Sequence, residues 1–458
     1  DEAMITGESL PVEKSINEKV IGGTINLNGS FNFRVTQTGN NSMLGQIIKL
    51  VEQAQATKPP IQKLVDKIAG IFVPIVITIA IITFVGWILF SSDHSFTNGL
   101  INFIAVLIIA CPCALGLATP TAIIVGTGLG ASKGILIRNA ESIESAHKIS
   151  TVILDKTGTI TEGKPYVTDL FTFDYNKNEL VKIAASLESK SEHPIAFAIT
   201  EYANKNNIKI EPVSTFMNHS GFGVTGIVNE KTVIVGKIDF LKDYSIKPGQ
   251  FAQHYESISA EGKTVICVAI EGELRGFISI EDRIKEDSPQ AISSLKKMKI
   301  KTVMVTGDNF YTAQSIADKV GIKEFEACVL PEEKANIVSK YQKENYIVAM
   351  VGDGINDAPA LAQADVGIAI GTGTDVAIES SQITLVKGNL GGVVKAINLS
   401  RYTIKTIKQN LFWAFIYNAI LIPLAALGML NPMIAALAMS FSSFSVVSNS
   451  LRLKRIKI

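Results

Sequence analysis

Residues 151–159 read Thr-Val-Ile-Leu-Asp-Lys-Thr-Gly-Thr, an apolar run that ends in a carboxylate, a cation, two hydroxyls and a glycine. Two later apolar runs end in a similar way, one in Thr306-Gly307-Asp308 and the other in Gly352-Asp353. In an open parallel sheet, ligands bind at the carboxyl ends of the strands. We therefore predict an α/β domain that gathers these strand ends into one site.

The predicted site has the residue types that phosphoryl transfer needs. Asp155 can attack a phosphoryl group and form an aspartyl phosphate, which splits one difficult hydrolysis into two easier steps. Lys334, in Pro-Glu-Glu-Lys, would compensate charge on the transferred group, and Asp155 with Asp353 offers hard oxygen ligands for Mg²⁺. Any one Asp at a strand end is more often a helix cap or a turn. The further predicted members of the site are Thr157, Thr306, Asp308, Asn356 and Asp357.

Three long stretches carry no charged residue: residues 68–92, 95–132 and 409–451. A helix needs roughly 20 apolar residues to cross a bilayer, so the first two stretches predict one membrane span each and the third predicts two, with a turn at Gly428 to Pro432. Buried helices of a soluble protein rarely run so long without charge. The lipid bilayer is therefore a predicted partner.

Basic residues flank the predicted spans only at the ends that would lie on one and the same face of the membrane. They precede the first and third spans and follow the second and fourth, whereas the short connections near Asp93 and Asn431 have no Lys or Arg. The positive-inside rule places the large polar segments in the cytoplasm. We expect an integral protein of a bacterial cell membrane with cytoplasmic soluble domains.

Charge and cysteine content narrow the function further. The chain has 458 residues and a net charge of +1, so no global field attracts nucleic acid, and none is predicted as a partner. The four cysteines do not look like a disulfide framework, and a reducing compartment is expected. The polar opening residues have no signal peptide, and we expect the chain to be an N-terminally truncated fragment.

The three strand-end motifs occur in order along the chain, and together they resemble the P-type ATPases, whose phosphorylation domain is haloacid-dehalogenase-like. The resemblance implies a multidomain α/β protein with a Rossmannoid phosphorylation domain, an inserted α+β nucleotide-binding domain, four transmembrane helices and part of an all-β actuator domain. It also implies that Thr6-Gly7-Glu8-Ser9 belongs to the actuator, with Glu8 positioning the hydrolytic water. Residues 21–38 alternate polar and apolar and are predicted to be a β remnant of that domain.

These features give predicted domain boundaries. They are 1–50 for the actuator part, 51–147 for the first membrane hairpin, 148–163 and 279–400 for the phosphorylation domain, 164–278 for the nucleotide-binding domain, and 401–458 for the last two spans.

The inserted domain has two segments that resemble the nucleotide pocket of the heavy-metal branch of that family, Ser191-Glu192-His193-Pro194 and Gly221-Phe222-Gly223. The resemblance implies ATP binding by Glu192, His193, Gly221 and Gly223. A lone His before Pro is otherwise an ordinary helix start. Where related pumps have Gly-Asn, this chain has Gly236-Lys237, and Lys237 is not assigned to the site.

Cys111-Pro112-Cys113 lies in the middle of the second stretch. Proline breaks a membrane helix and frees carbonyl groups, and thiolates select Cu(I) and other soft ions. Tyr417, Asn418, Met439, Ser442 and Ser443 lie in the middle of the last two spans. The three motifs together resemble the Cu(I) branch. We predict a transported soft monovalent ion, Cu(I) or Ag(I), with Cys111, Cys113, Tyr417, Asn418, Met439 and Ser443 as its site.

Three different functions are also compatible with parts of the sequence. The first is a zinc or cadmium pump, but related pumps of that kind have an acidic residue in the last span and a lysine in the preceding one, and this chain has neither. The second is a membrane-tethered phosphohydrolase, and the third is a metal-sensing membrane protein.

The sequence also bears on how the ion would enter the pump and in which direction it would move. Asp66, at the end of the first span, is either an ion entry point or an interfacial residue paired with lysine. A cytosolic copper chaperone would be a further partner, and the resemblance with the inward basic loops favours export.

Overall fold

The computed structural model describes residues 13–27, 30–39, 59–90, 96–111, 113–191, 193–219, 222–246, 249–260, 262–353, 355–371 and 380–456, with isolated residues 42, 45, 48 and 52. The α-helices of these residues, in chain order, are α1 (Pro60–Phe90), α2 (Phe96–Ile109), α3 (Cys113–Ala131), α4 (Ala140–Ala146), α5 (Lys177–Glu188), α6 (Pro194–Lys205), α7 (Ile238–Asp243), α8 (Ala252–Ala260), α9 (Ser288–Lys297), α10 (Phe310–Val320), α11 (Lys334–Lys343), α12 (Ala358–Gln363), α13 (Gly391–Ala426) and α14 (Pro432–Leu451). The strands are β1 (Ile135–Ile137), β2 (Thr151–Asp155), β3 (Thr161–Thr172), β4 (Val213–His219), β5 (Gly223–Val228), β6 (Lys231–Gly236), β7 (Thr264–Ile270), β8 (Glu273–Ile284), β9 (Lys301–Val305), β10 (Glu324–Glu326), β11 (Val348–Gly352), β12 (Val366–Ile370) and β13 (Ile383–Leu385).

Four segments of the described residues are long and apolar enough to span a membrane, as the sequence predicts: α1, α2 with α3, α13, and α14. The second of these is interrupted, because α2 ends at Ile109 and α3 begins at Cys113. The interruption falls at the predicted Cys-Pro-Cys break, where proline cannot donate a backbone hydrogen bond.

Helix α13 extends beyond the membrane. Its 36 residues rise about 54 Å at 1.5 Å each, whereas a hydrocarbon core is about 30 Å thick. Its first half packs into the core of the α/β domain through Val393, Ile397 and Ile404, and its second half begins the uncharged stretch at Gln409. One continuous helix therefore links the soluble domain to the membrane.

The α/β domain is built on a sheet of seven described strands in the order β1-β13-β12-β11-β2-β9-β10. All its pairs are parallel except β1 with β13. Strand β2 lies between β11 and β9, so their carboxyl ends meet as the sequence predicts. Strand β1 follows α3 directly, which attaches the end of that membrane helix to the sheet edge.

The inserted domain has its own sheet of six described strands in the order β3-β8-β7-β6-β5-β4, all antiparallel. Strands β3 and β8 pair with each other, so the chain enters and leaves this domain side by side. Strand β8 extends to Ile284, and the boundary predicted at 278 therefore falls inside a strand.

Two expectations are wrong. Residues 21–38 were expected to form strands, but their described members form none, and Ile25, Phe33 and Val35 are exposed. The alternating pattern favours a strand, but a strand also needs a second strand to pair with, which local alternation does not encode. The cysteines were expected to form no disulfide, but Cys111 and Cys113 are joined by one. Their Cα atoms lie 5.4 Å apart, within the range that a disulfide requires. In an unbroken helix, side chains two residues apart point in nearly opposite directions, so the break is what lets the two sulfurs meet.

Candidate active site and ion site

The centre of the α/β domain holds a buried cluster of one lysine and three aspartates. Lys334 Nζ donates to Asp155 Oδ1 at 2.7 Å and to Asp357 Oδ1 at 2.6 Å. Carboxylate oxygens of Asp155, Asp353 and Asp357 lie within 4.8 Å of one another. Asp155, Lys334 and Asp357 are each less than 10% exposed. The structure thus brings together four residues from separate positions in the chain.

Strand geometry explains this convergence. Asp155 ends β2 and Asp353 directly follows β11, the neighbouring parallel strand. Asp357 immediately precedes α12, and Lys334 begins α11, so both helices start at the same edge of the sheet. This edge is where a doubly wound sheet binds its ligands.

The three carboxylates outnumber the cations near them, which are Lys334 within the cluster and Lys285 close to Asp353. Burial, with the charge of Asp357, raises the pKa of Asp155, and Lys334 opposes that rise. Burial and Asp357 likewise raise the pKa of Asp353. A divalent cation with hard oxygen ligands would relieve the repulsion, so the donor set fits Mg²⁺.

A glycine makes room for the aspartates. Gly158 has φ +73°, and a Cβ there would lie 1.7 Å from Asp353 Oδ2. A side chain at position 158 would therefore displace Asp353. Thr157, beside it, is exposed at the cluster, and Thr159 Oγ1 is buried with no hydrogen-bond partner among the described residues.

The remaining predicted residues lie around this cluster. Thr306 follows β9, is 2% exposed, and its Oγ1 accepts a hydrogen bond from Asp308 N at 3.1 Å. Asp308 pairs with Lys156 at 2.6 Å, which connects it to the loop after Asp155. Asn356 is exposed next to Asp357. Glu8 lies outside the described residues.

Lys285 was not predicted from the sequence. It lies just after β8 and donates from Nζ to Gly158 O and, at 2.6 Å, to Gly388 O. Asp287 Oδ2 accepts from Gly391 N at 2.7 Å, at the start of α13. Burial lowers the pKa of Lys285, and the charge of Asp353 counteracts this. These contacts connect the loop after Asp155 to the helix that enters the membrane, and no motif in the sequence signals them.

Only some of the nucleotide-pocket residues predicted in the inserted domain are among those that the structure describes. His193 is exposed and caps α6, with Nδ1 accepting from Ile195 N at 3.2 Å. Gly223 begins β5 against Gly236, and a Cβ on either would collide with neighbouring backbone. Glu192 and Gly221 lie outside the described residues. The Gly236-Lys237 departure keeps this close packing, because Lys237 N donates to Phe222 O at 3.0 Å.

Glu188 is a second residue that the sequence did not indicate. It ends α5, three residues before the Ser191–His193 segment, and is 6% exposed. Burial raises its pKa to about 7, and a hydrogen bond with Ser191 acts in the opposite direction. A buried carboxyl group beside a predicted nucleotide segment is typical of a functional site.

The membrane residues occupy one layer of the helix bundle. Ala110 and Met439 belong to one apolar cluster, and Ala114 and Val446 to the next. The cysteine pair lies between Ala110 and Ala114, so the helix break falls between the two clusters. Asn418 and Ser442 fall at the same junction, because Asn418 lies between Ala414 and Ile422, and Ser442 between Met439 and Val446.

Two polar atoms in this layer lack partners. Asn418 Oδ1 and Ser442 Oγ are buried with no hydrogen-bond partner among the described residues. Buried polar groups are normally paired, and unpaired ones call for an explanation such as an ion. Ser442 is fully buried, whereas Ser443 and Tyr417 are half-buried. Asp66 is exposed and accepts from Gln62 at 2.9 Å.

Comparison with known proteins agrees with this architecture. A model of haloacid dehalogenase-like hydrolases matches residues 149–365, and a model of the P-type ATPase actuator domain matches residues 1–52. The chain is 49% identical to a copper-exporting P-type ATPase of Staphylococcus haemolyticus and 48% identical to one of Bacillus subtilis; each match covers 100% of this chain and 57% of the relative. It is 50% identical to a probable copper-importing P-type ATPase A of Enterococcus hirae, over 99% of this chain and 62% of that protein.

A solved structure gives the same assignment. The crystal structure of a zinc-transporting PIB-type ATPase in an E2.Pi state superposes with a TM-score of 0.77 at 34% identity, covering 99% of this chain and 74% of that one. The chain spans 57% of the length of the first curated relatives it matches. The order of domains, the strand-end cluster, the broken membrane helix and these matches show that the chain belongs to the P-type ATPases, in their PIB (heavy-metal) branch.

Proposed function

We propose that the chain is the catalytic and ion-binding part of a pump that uses ATP to export Cu(I), with Ag(I) as a second substrate. The observation that carries the ATPase part is the Asp155–Lys334–Asp357 cluster at the centre of the sheet. The relatives named as copper pumps support the choice of metal.

The chemistry follows from the positions of the side chains. An oxygen of Asp155 attacks the γ-phosphorus of ATP, a P–O bond forms, and the bond to the β-phosphate oxygen breaks to release ADP. Lys334 stabilises negative charge at the attacked group. Mg²⁺ held by Asp155, Asp353 and Asp357 would neutralise phosphate oxygens. Thr157, Thr306 and Asp308 would contact the transferred group, and Glu8 would position the water that later hydrolyses the aspartyl phosphate.

Nucleotide binding is assigned to the inserted domain. His193, exposed at the start of α6, would contact adenine, with Glu192, Gly221 and Gly223 completing the pocket. We add Glu188 because it is a buried carboxyl group next to this segment. The predicted domain boundaries belong to the same proposal, with the inserted domain extended to the end of β8.

The ion site is assigned to the layer at the helix break. Reduced Cys111 and Cys113 offer two thiolates, and Met439 adds a thioether, all soft ligands suited to a monovalent soft metal. Because a disulfide joins the two cysteines in the structure, the site requires reduction before it can bind a metal. Asn418 and Ser442 have unpaired oxygens in the same layer, with Tyr417 and Ser443 beside them.

A zinc pump is the second candidate, because a zinc-transporting PIB-type structure superposes on the chain. A divalent ion between apolar helices would call for a buried carboxylate, yet residues 409–451 have no charged side chain at all. The composition of the last two spans therefore favours the monovalent ion.

The proposed transport direction is supported by the basic residues that flank the spans on one side, which by the positive-inside rule favour a cytoplasmic location for the soluble domains. Helix α3 is followed by β1, and helix α13 follows β13, so both membrane helices are joined to the two strands at one end of the seven-stranded sheet. A change at Asp155 would reach the layer at the helix break through them. A cytosolic copper chaperone would deliver the ion at the same membrane face, where Asp66 is exposed.

The test is ATPase activity and phosphoenzyme formation by a full-length version in lipid under reducing conditions, with Cu(I), Ag(I) or Zn²⁺. We expect stimulation by Cu(I) and Ag(I), its loss in Cys111→Ser/Cys113→Ser, and its retention in the control Cys267→Ala/Cys328→Ser. The variant Asp155→Asn should form no phosphoenzyme. Stimulation by Zn²⁺ alone would establish the zinc pump, and metal-independent turnover would establish a phosphohydrolase.

A further inference from the structure

A cavity of about 440 Å³ opens beside α13 at the point where that helix enters the uncharged stretch. Its polar lining includes the cations Arg401, Lys405 and Lys408 together with His147 and Gln409. Its apolar wall is formed by Phe412 and Trp413. The proposed pump cycle assigns no role to any of these residues.

The three cations of this cavity lie on one face of α13 and form no ion pair with the acidic residues that the structure describes. Arg401, Lys405 and Lys408 recur at spacings of four and three, which places them on one face of α13. In the part of the chain that the structure describes, none of the three forms an ion pair. Glu144, the nearby carboxylate, is engaged by Ile61 N at 2.8 Å and Lys148 Nζ at 3.3 Å. The cavity therefore presents uncompensated positive charge.

The cavity also has a direction relative to the membrane. Its cations precede Gln409, where the uncharged stretch begins, and its aromatic residues follow it. Phe412 is 60% exposed and Trp413 is 50% exposed, and aromatic side chains of this kind are enriched at bilayer interfaces. A molecule that fills the cavity must be anionic at one end and apolar at the other.

We propose that this cavity binds the headgroup of an anionic phospholipid, with the phosphate between Arg401, Lys405 and Lys408 and the upper acyl chain against Phe412 and Trp413. Free phosphate shares the anionic chemistry but leaves the aromatic wall without a ligand. The proposal rests on the proposed function only in that α13 spans a membrane. A bound lipid would brace α13 between the sheet and the bilayer.

The experiment measures lipid retention by the chain itself. The chain is reconstituted into phosphatidylcholine nanodiscs that contain a minority of phosphatidylglycerol, and co-released lipids are counted by native mass spectrometry. The variant is Arg401→Gln/Lys405→Gln/Lys408→Gln. The matched control, Arg452→Gln/Lys454→Gln/Arg455→Gln, removes the same charge near the end of α14.

We expect the wild-type chain to retain phosphatidylglycerol over phosphatidylcholine. Each cation near an anionic surface contributes roughly a fivefold preference for anionic over zwitterionic lipid. The cavity variant should therefore show a preference for phosphatidylglycerol that is at least about tenfold weaker, while the control variant keeps the wild-type preference. Equal loss in both variants would show diffuse surface attraction and overturn the proposal. So would retention that is unchanged in the cavity variant.

Two further arms keep the result decisive. Soluble glycerol phosphate should not displace the lipid; displacement at equal concentration would identify a free-anion site and overturn the lipid assignment. The charge reversal Lys405→Glu/Lys408→Glu changes exposed side chains only and repeats the test if the triple variant does not fold. Neither ATP nor copper is present, so the outcome is independent of whether the chain pumps Cu(I).

Discussion

Replacing Ser442 with alanine should stabilise the metal-free protein and weaken its response to Cu(I). Ser442 is fully buried in α14, and its Oγ has no hydrogen-bond partner among the described residues. Other serines of the same helix follow the usual pattern, since Ser440 and Ser450 donate to the carbonyl groups four residues earlier, at 3.0 and 2.9 Å. Ser442 is therefore held in an unfavourable state that an ion would relieve.

The size of the effect follows from the unpaired hydroxyl. An unsatisfied buried polar group costs about 1–3 kcal/mol, and alanine removes it with the loss of only one heavy atom. After allowance for the small cavity, we expect about 1 kcal/mol of added stability, or about fivefold in the unfolding equilibrium. If the unpaired oxygen of Ser442 contributes to the proposed ion site, the same substitution removes it, so the stabilisation by Cu(I) should shrink.

The measurement is unfolding of the chain in lipid under reducing conditions, with and without Cu(I), for wild type, Ser442→Ala and the control Ser440→Ala. Ser440 is exposed and already paired, so its loss should be neutral or slightly destabilising and should leave the Cu(I) shift unchanged. Destabilisation of the metal-free Ser442→Ala variant, or a Cu(I) shift equal to that of wild type, would refute the assignment of Ser442 to the ion layer.

Three other substitutions test the soluble domains. Gly158→Ala should abolish phosphoenzyme formation, because its Cβ would lie 1.7 Å from Asp353 Oδ2, whereas Gly388→Ala, with no atom within 4 Å of the new Cβ, should retain it. Lys285→Met should slow phosphoenzyme formation about tenfold to a hundredfold, because a hydrogen bond from a charged group contributes about 1.5–3 kcal/mol. An unchanged rate would exclude a role for Lys285 in holding Gly158. Burial raises the pKa of Glu188 from 4.5 to about 7. Between these two pH values the native state binds more protons than the unfolded state, so the free energy of unfolding falls as the pH rises through this range. Glu188→Gln should remove this decline and raise the free energy of unfolding at about pH 8 by at most about 3 kcal/mol. Urea unfolding at about pH 8 and at about pH 5 measures the difference. The affinity for nucleotide should fall in the same variant.

The sequence predicted the active-site cluster because the motifs are local and the sheet rule is general. Each run of apolar residues ends in its own polar group, and parallel strands must place their carboxyl ends together. The membrane spans were predictable for a similar reason, since length without charge is a property of one segment. The predicted break at Cys111 and Cys113 follows from proline alone.

Other features depend on long-range contacts that no local pattern encodes. Lys285 reaches Gly158 from a strand end 127 positions later, and it looks like any lysine after a strand. Burial of Glu188 depends on how α5 packs in the inserted domain. The alternation at residues 21–38 predicted strands, but strand pairing also depends on a neighbouring segment, which alternation within one segment does not encode. The Cys111–Cys113 disulfide was missed because cysteine counts do not report how two side chains are oriented at a helix break.

The long helix α13 offers a physical route by which the two proposed sites would communicate. Its start is tied by Asp287 to Gly391 N and by Lys285 to Gly388 O, and Lys285 also holds the Gly158 carbonyl beside Asp155. A phosphoryl group on Asp155 adds negative charge within this cluster and changes what Lys285 and Lys334 can pair with. On the proposed function, a shift at the start of this continuous helix would be passed along its axis toward Asn418. Phosphorylation and ion affinity would then be linked through α13, and each would bias the other by the same free energy.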